Sequence, residues 1–74
     1  MRHYVIVEDA QEVLGVWEAP DRTTADRLRL TLSLTYPGCR THVEQASDFE
    51  AFKDAVPNFD LTGLEPEPAL AHAS

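Results

Sequence analysis

Seventy-four residues suffice for one small domain, which hides only about 60% of the surface its unfolded chain exposes. A single cysteine, Cys39, excludes an internal disulfide and fits a reducing compartment, the cytoplasm. Thirteen acids against six bases give a formal charge of −7, which works against a function built on phosphate contacts.

The chain opens on Met1-Arg2-His3-Tyr4-Val5-Ile6-Val7-Glu8, an apolar run too short for a signal peptide and interrupted by Glu8-Asp9. No stretch approaches the roughly 18 apolar residues that would span a bilayer. Residues 3–8 read as a strand, since Tyr4, Val5, Ile6 and Val7 are all β-branched or aromatic. The polar segment 8–11 reads as a hairpin loop, and residues 12–18 as a second strand, with Val13, Leu14, Val16 and Trp17 around Gly15. A glycine inside a strand marks a bulge or a close approach by another group.

Residues 24–36 carry two conflicting signals. Leucines 28, 30, 32 and 34 alternate with Arg29, Thr31, Ser33 and Thr35 at period two, as in a strand. Against this, Pro20 and Asp21 suit a first helical turn, Thr23 with Asp26 resembles a capping box, and Pro37-Gly38 is a helix stop. On a helix, Ala25, Leu28, Leu32 and Tyr36 share one stripe, with Leu30 and Leu34 opposite. Helix is the expectation.

Residues 39–45 form a third strand. Ser47 with Glu50 makes a capping box for a short helix that buries Phe49, Phe52 and Val56 and ends at Pro57. Phe59, Leu61 and Leu64 anchor the chain further, and residues 65–74, including Leu70 and His72, read as a flexible tail. The expected architecture is a single α+β domain over residues 1–64 with β-β-α-β-α topology. Its three-stranded antiparallel sheet has order 2-1-3, and one main helix packs on one face.

The segment Leu14-Gly15-Val16-Trp17, then Ala25 in an amphipathic helix, then Tyr36-Pro37-Gly38 before a strand, resembles small uncharacterised β-β-α-β domains of bacteria and their phages. The resemblance covers about residues 3–45 and departs from the pattern in the spacing before the helix and in the Leu/Thr alternation. It implies a fold and a bacterial or phage origin, and no activity.

Chemistry-bearing residues are few. His3 and His42 fall on strands expected to be neighbours, with Cys39 nearby, but a zinc site needs three or four ligands and no paired-ligand spacing exists. Cys39 has no base positioned to activate it, and the glycines 15, 38 and 63 make no phosphate loop. The expectation is a non-enzymatic protein with no cofactor, metal or catalytic residue. The informative excess is apolar: one principal helix cannot cover two apolar sheet faces. Tyr4, Ile6, Val13 and Trp17 on an open sheet face, or Leu30 and Leu34 on the outer side of the helix, are therefore the expected interaction residues. These features lead to a protein-interaction module, self-associating as a homodimer and acting as a small regulator or inhibitor of bacterial or phage origin. The alternative is a nucleic-acid-related role, through the cluster Arg22, Arg27, Arg29 and Arg40 or as an acidic mimic of DNA.

Overall fold

The computed structural model describes residues 1–10 and 12–68. The chain forms β1 (Arg2–Glu8), β2 (Val13–Ala19), α1 (Arg22–Thr35), β3 (Arg40–Ala46), α2 (Phe49–Ala55) and β4 (Glu67–Pro68). These make a four-stranded mixed sheet of order β3-β1-β2-β4. The apolar strand β1 is central, antiparallel to β2 and to β3, with Val5 opposite both Trp17 and Val43. The order 2-1-3 expected from the hairpin and the helical crossover is thus present.

The fourth strand was not foreseen. Glu67–Pro68 pairs parallel to β2, Glu67 with Trp17 and Pro68 with Glu18, in a segment read from the sequence as tail. Two residues carry no period-two pattern, and proline, which has no N–H to donate, is tolerated at a sheet edge. Leu70 and His72 lie outside the described residues.

The ambiguous segment is the helix α1. Its N-cap is Asp21, whose carboxylate accepts a hydrogen bond from the Thr24 N–H at 2.7 Å, so the cap lies two residues before the expected Thr23. The alternation is accommodated because the hydroxyls turn back on the helix. Thr31 donates to the Arg27 carbonyl at 3.1 Å, Ser33 to Arg29 at 2.9 Å and Thr35 to Thr31 at 3.0 Å. Ala25, Leu28 and Leu32 are buried, and the chain leaves the helix through Gly38 at φ +86°, a conformation that favours glycine. In α2 the cap is Asp48, accepting from the Ala51 N–H at 2.8 Å, one residue later than the expected Ser47.

Each sheet face has its own core. On one, Val5, Val7, Trp17 and Ala19 pack against Ala25, Leu28 and Leu32 of α1, with Tyr36, Cys39 and Val43 at the margin. On the other, Tyr4, Ile6, Val16 and Ala46 pack against Phe52, Val56 and Leu61. The side chains of β1 alternate between these cores, which explains a strand apolar on both faces. Gly15 is a close approach: a Cβ there would lie 2.7 Å from Cη2 of Trp17, whose ring folds over the glycine.

Candidate interaction surface

The expected open sheet face is closed. Tyr4 and Ile6 are fully buried and Trp17 is only 4% exposed. Tyr4 stacks on Phe52 with ring centroids 4.8 Å apart and meets Phe49 at 6.0 Å, and Val13 packs at the margin of the same cluster. Trp17 sits on the other face from Tyr4 and Ile6, because its register partner is Val5, and its ring meets Tyr36 at 6.4 Å. A helix of seven residues with the 59–64 segment supplies the second cover, contrary to the expectation of an uncovered face. None of these three residues offers surface to a partner.

Leu30 and Leu34 are different: they are 62% and 85% exposed. They stand one turn apart on α1, opposite the buried stripe of Ala25, Leu28 and Leu32, on the row that begins with the exposed Thr23 and Arg27. The other large apolar residues exposed among those described are Met1 and Leu14. Leu14 falls where the β1–β2 register shifts, between Val7 and Glu8. Fully burying a leucine stabilises by roughly 1.5–3 kcal/mol, so two leucines on one exposed row represent contact energy unused within the chain.

The arginine group spreads around this row. Arg22 pairs with Asp26 at 3.3 Å, while Arg27, Arg29 and Arg40 are exposed and make no ion pair among the described residues. Arg2 pairs with Glu18.

The remaining chemistry is dispersed. His3 and His42 face opposite sides of the sheet, since His3 is in register with Gln45 and His42 with Ile6. His3 is buried, with Nε2 2.9 Å from Gln45 Nε2 and Nδ1 without a hydrogen-bond partner among the described residues. His42 Nε2 lies 3.1 Å from the Glu8 carboxylate, and its ring meets Phe59 at 5.7 Å. Cys39 is half-buried against the α1 core. Among the described residues no three His, Cys, Asp or Glu side chains are placed to hold a metal ion, and no helix is long and apolar enough to cross a membrane.

A cleft of about 490 Å³ opens at one end of the sheet, lined by Glu8, Asp9, Glu12, Phe59, Asp60 and Leu64 among others. Two of its carboxylates are held by local turns: the Asp9 carboxylate accepts from the Glu12 N–H at 2.8 Å, and Asp60 from the Thr62 N–H at 3.1 Å. The latter bond holds the Asp60 carboxyl below the usual carboxylate range. The Tyr4 hydroxyl is buried without a well-formed hydrogen bond. Burial, and then the charge and approach of the Glu18 carboxylate, push its pKa up to about 12.

Comparison with protein-family models, curated proteins and solved structures finds no match.

Proposed function

We propose that this chain is a non-enzymatic protein-interaction module that self-associates, acting as a small regulator or inhibitor. The observation that carries this reading is the exposed pair Leu30 and Leu34, 62% and 85% accessible on the outer row of α1. Two exposed leucines on one helix row support a contact there, and a second copy is one way a domain of this size gains stability. The resemblance to bacterial and phage β-β-α-β domains gives the setting of such a regulator.

The double variant Leu30→Glu/Leu34→Glu tests it. Because neither side chain is in the core, the variant keeps the wild-type melting temperature at low concentration. It also weakens self-association at least tenfold by sedimentation. Unchanged association would remove the leucines from the interface.

A nucleic-acid role has one observation in its favour: Arg27, Arg29 and Arg40 are exposed and make no ion pair among the described residues. It requires a gel shift that weakens steeply with salt.

A further inference from the structure

The two edges of the sheet are treated differently. Along β2 the register is interrupted near Glu8 and Val13, and the outer side carries β4, which ends in Pro68. Interruptions, prolines and covering segments are devices that prevent edge-to-edge association. Among the described residues β3 has none of them. It holds seven consecutive pairs with β1, from Arg2 with Ala46 to Glu8 with Arg40, without a shift. It contains neither proline nor glycine. It is hydrogen-bonded to β1 alone, and among the described residues no turn or loop backbone group bonds to its outer side.

From this contrast we infer that β3 is the self-association edge: two copies join β3 to β3 antiparallel about a two-fold axis at Val43, forming one continuous sheet. This deepens the self-association reading above and rests on it. The charge pattern selects both the occupant and the direction. On the face turned toward α2, β3 presents Arg40, His42 and Glu44 in sequence, basic at one end and acidic at the other. Antiparallel pairing of two copies sets His42 opposite Glu44 of the partner subunit and brings Arg40 diagonal to the same carboxylate. Parallel pairing would set like against like. On the other face, Thr41 meets Gln45 of the partner subunit and Val43 meets Val43 of the partner subunit, extending the α1-side core that Val43 already borders. Glu44 is exposed and makes no ion pair within the chain, among the described residues. This register engages all seven residues of β3.

Area points the same way. Two leucines on each copy expose far less than the roughly 1,200 Å² at which stable interfaces begin, so the helix row alone is too small. The joined sheet carries both α1 helices on one face, because α1 lies over β3 with Ser33 Oγ 3.3 Å from Thr41 Oγ1. Leu30, three residues before Ser33, lies on the outer row between that flank and Leu34. Backbone pairing of β3 is then the centre of the interface, with Leu30 at its rim.

The test is a charge exchange read by sedimentation of the full chain. Glu44→Arg places like charges at the junction and is expected to raise the dimer dissociation constant at least tenfold. Adding Arg40→Glu to the same chain reverses the pattern and restores association to within a few fold of wild type. Circular dichroism of each variant at low concentration establishes that the monomer is folded. As a second readout, amide exchange in β3 slows as wild-type concentration rises, at alternate residues whose N–H groups point outward. A wild-type dimer that ignores both exchanges, and shows no concentration-dependent protection in β3, overturns the edge assignment. If Leu30→Glu/Leu34→Glu still separates that dimer, the helix-mediated reading survives. A wild-type monomer at every concentration overturns both.

Discussion

On one face of the sheet a fourteen-residue helix lays Ala25, Leu28 and Leu32 across Val5, Val7, Trp17 and Ala19. On the other, a seven-residue helix and the 59–64 segment close over Tyr4, Ile6 and Val16. The first cover is a narrow aliphatic stripe of one alanine and two leucines. The second is short but heavy, with Phe49 and Phe52 stacked at 5.8 Å and Tyr4 against both. Aromatic side chains bury large areas each, so a two-turn helix seals a face that would otherwise need a longer one. With both faces sealed from within, the leucines left on the outer row of α1 serve no packing purpose in the isolated chain.

The comparison is broken most directly by emptying each cover in turn. Phe52→Ala removes the centre of the aromatic stack and is expected to cost about 3–5 kcal/mol, against about 2–5 kcal/mol for Leu32→Ala on the α1 face. Since a small domain has only about 5–15 kcal/mol in total, either variant is partly unfolded in mild urea. A Phe52→Ala cost well under that of Leu32→Ala would show the second face to be loosely covered.

A finer probe is Gly15→Ala. The added methyl meets the Trp17 ring at 2.7 Å, so the ring must move off the strand, at a cost of about 1–3 kcal/mol. The tryptophan emission shifts as the ring is displaced. An unchanged spectrum and midpoint would contradict the close packing on the α1 side.

The cap of α1 is coupled to pH. The Thr24 N–H bonded to Asp21 holds that carboxyl below its usual range. A carboxyl depressed in the folded state stabilises fully above its unfolded pKa, near 4, and loses that contribution as pH falls through the lowered folded value. Asp21→Ala therefore lowers stability at neutral pH and flattens the acid limb of the stability curve, as urea midpoints between pH 6 and 2 would reveal. Asp48→Ala removes the corresponding cap of α2, at about 1 kcal/mol.

The smallest effect is expected at Tyr4→Phe. The buried hydroxyl lacks a well-formed hydrogen bond, and exchanging an unsatisfied polar group for an apolar one is close to neutral or stabilising. Tyr4 has its pKa raised to about 12, so its neutral form stabilises the fold below pH about 10. That contribution is lost as pH climbs from about 10 to 12. The variant should unfold later than wild type in that window, by circular dichroism. Equal alkaline midpoints would remove Tyr4 from the transition.

Much of this architecture is legible in the residues. The unbroken apolar run 4–7, the glycine at 15 and the stripe at 25, 28 and 32 lead to the hairpin, the close approach and the helix. The order 2-1-3 follows from handedness and from the apolarity of β1. The caps were displaced by one or two residues because Asp21 and Asp48 compete with Thr23 and Ser47, and carboxylates are at least as good acceptors for the same N–H groups. The cover on the second face was underestimated because counting apolar positions ignores aromatic area. Helical spacing alone places Leu30 and Leu34 on the exposed side of α1, whereas the expectation of exposed Tyr4, Ile6 and Trp17 rested on an open sheet face that α2 and the 59–64 segment close. The difference between the sheet edges was not legible. It depends on where two residues, Glu67 and Pro68, dock on a strand some fifty positions earlier.

The most direct measurement is sedimentation of the wild-type chain across a hundredfold range of concentration. The weight-average mass is expected to climb from the 8.3 kDa of one chain toward twice that value, with a single monomer–dimer isotherm. A mass that stays at one chain throughout would contradict self-association and leave the exposed leucines to a different protein.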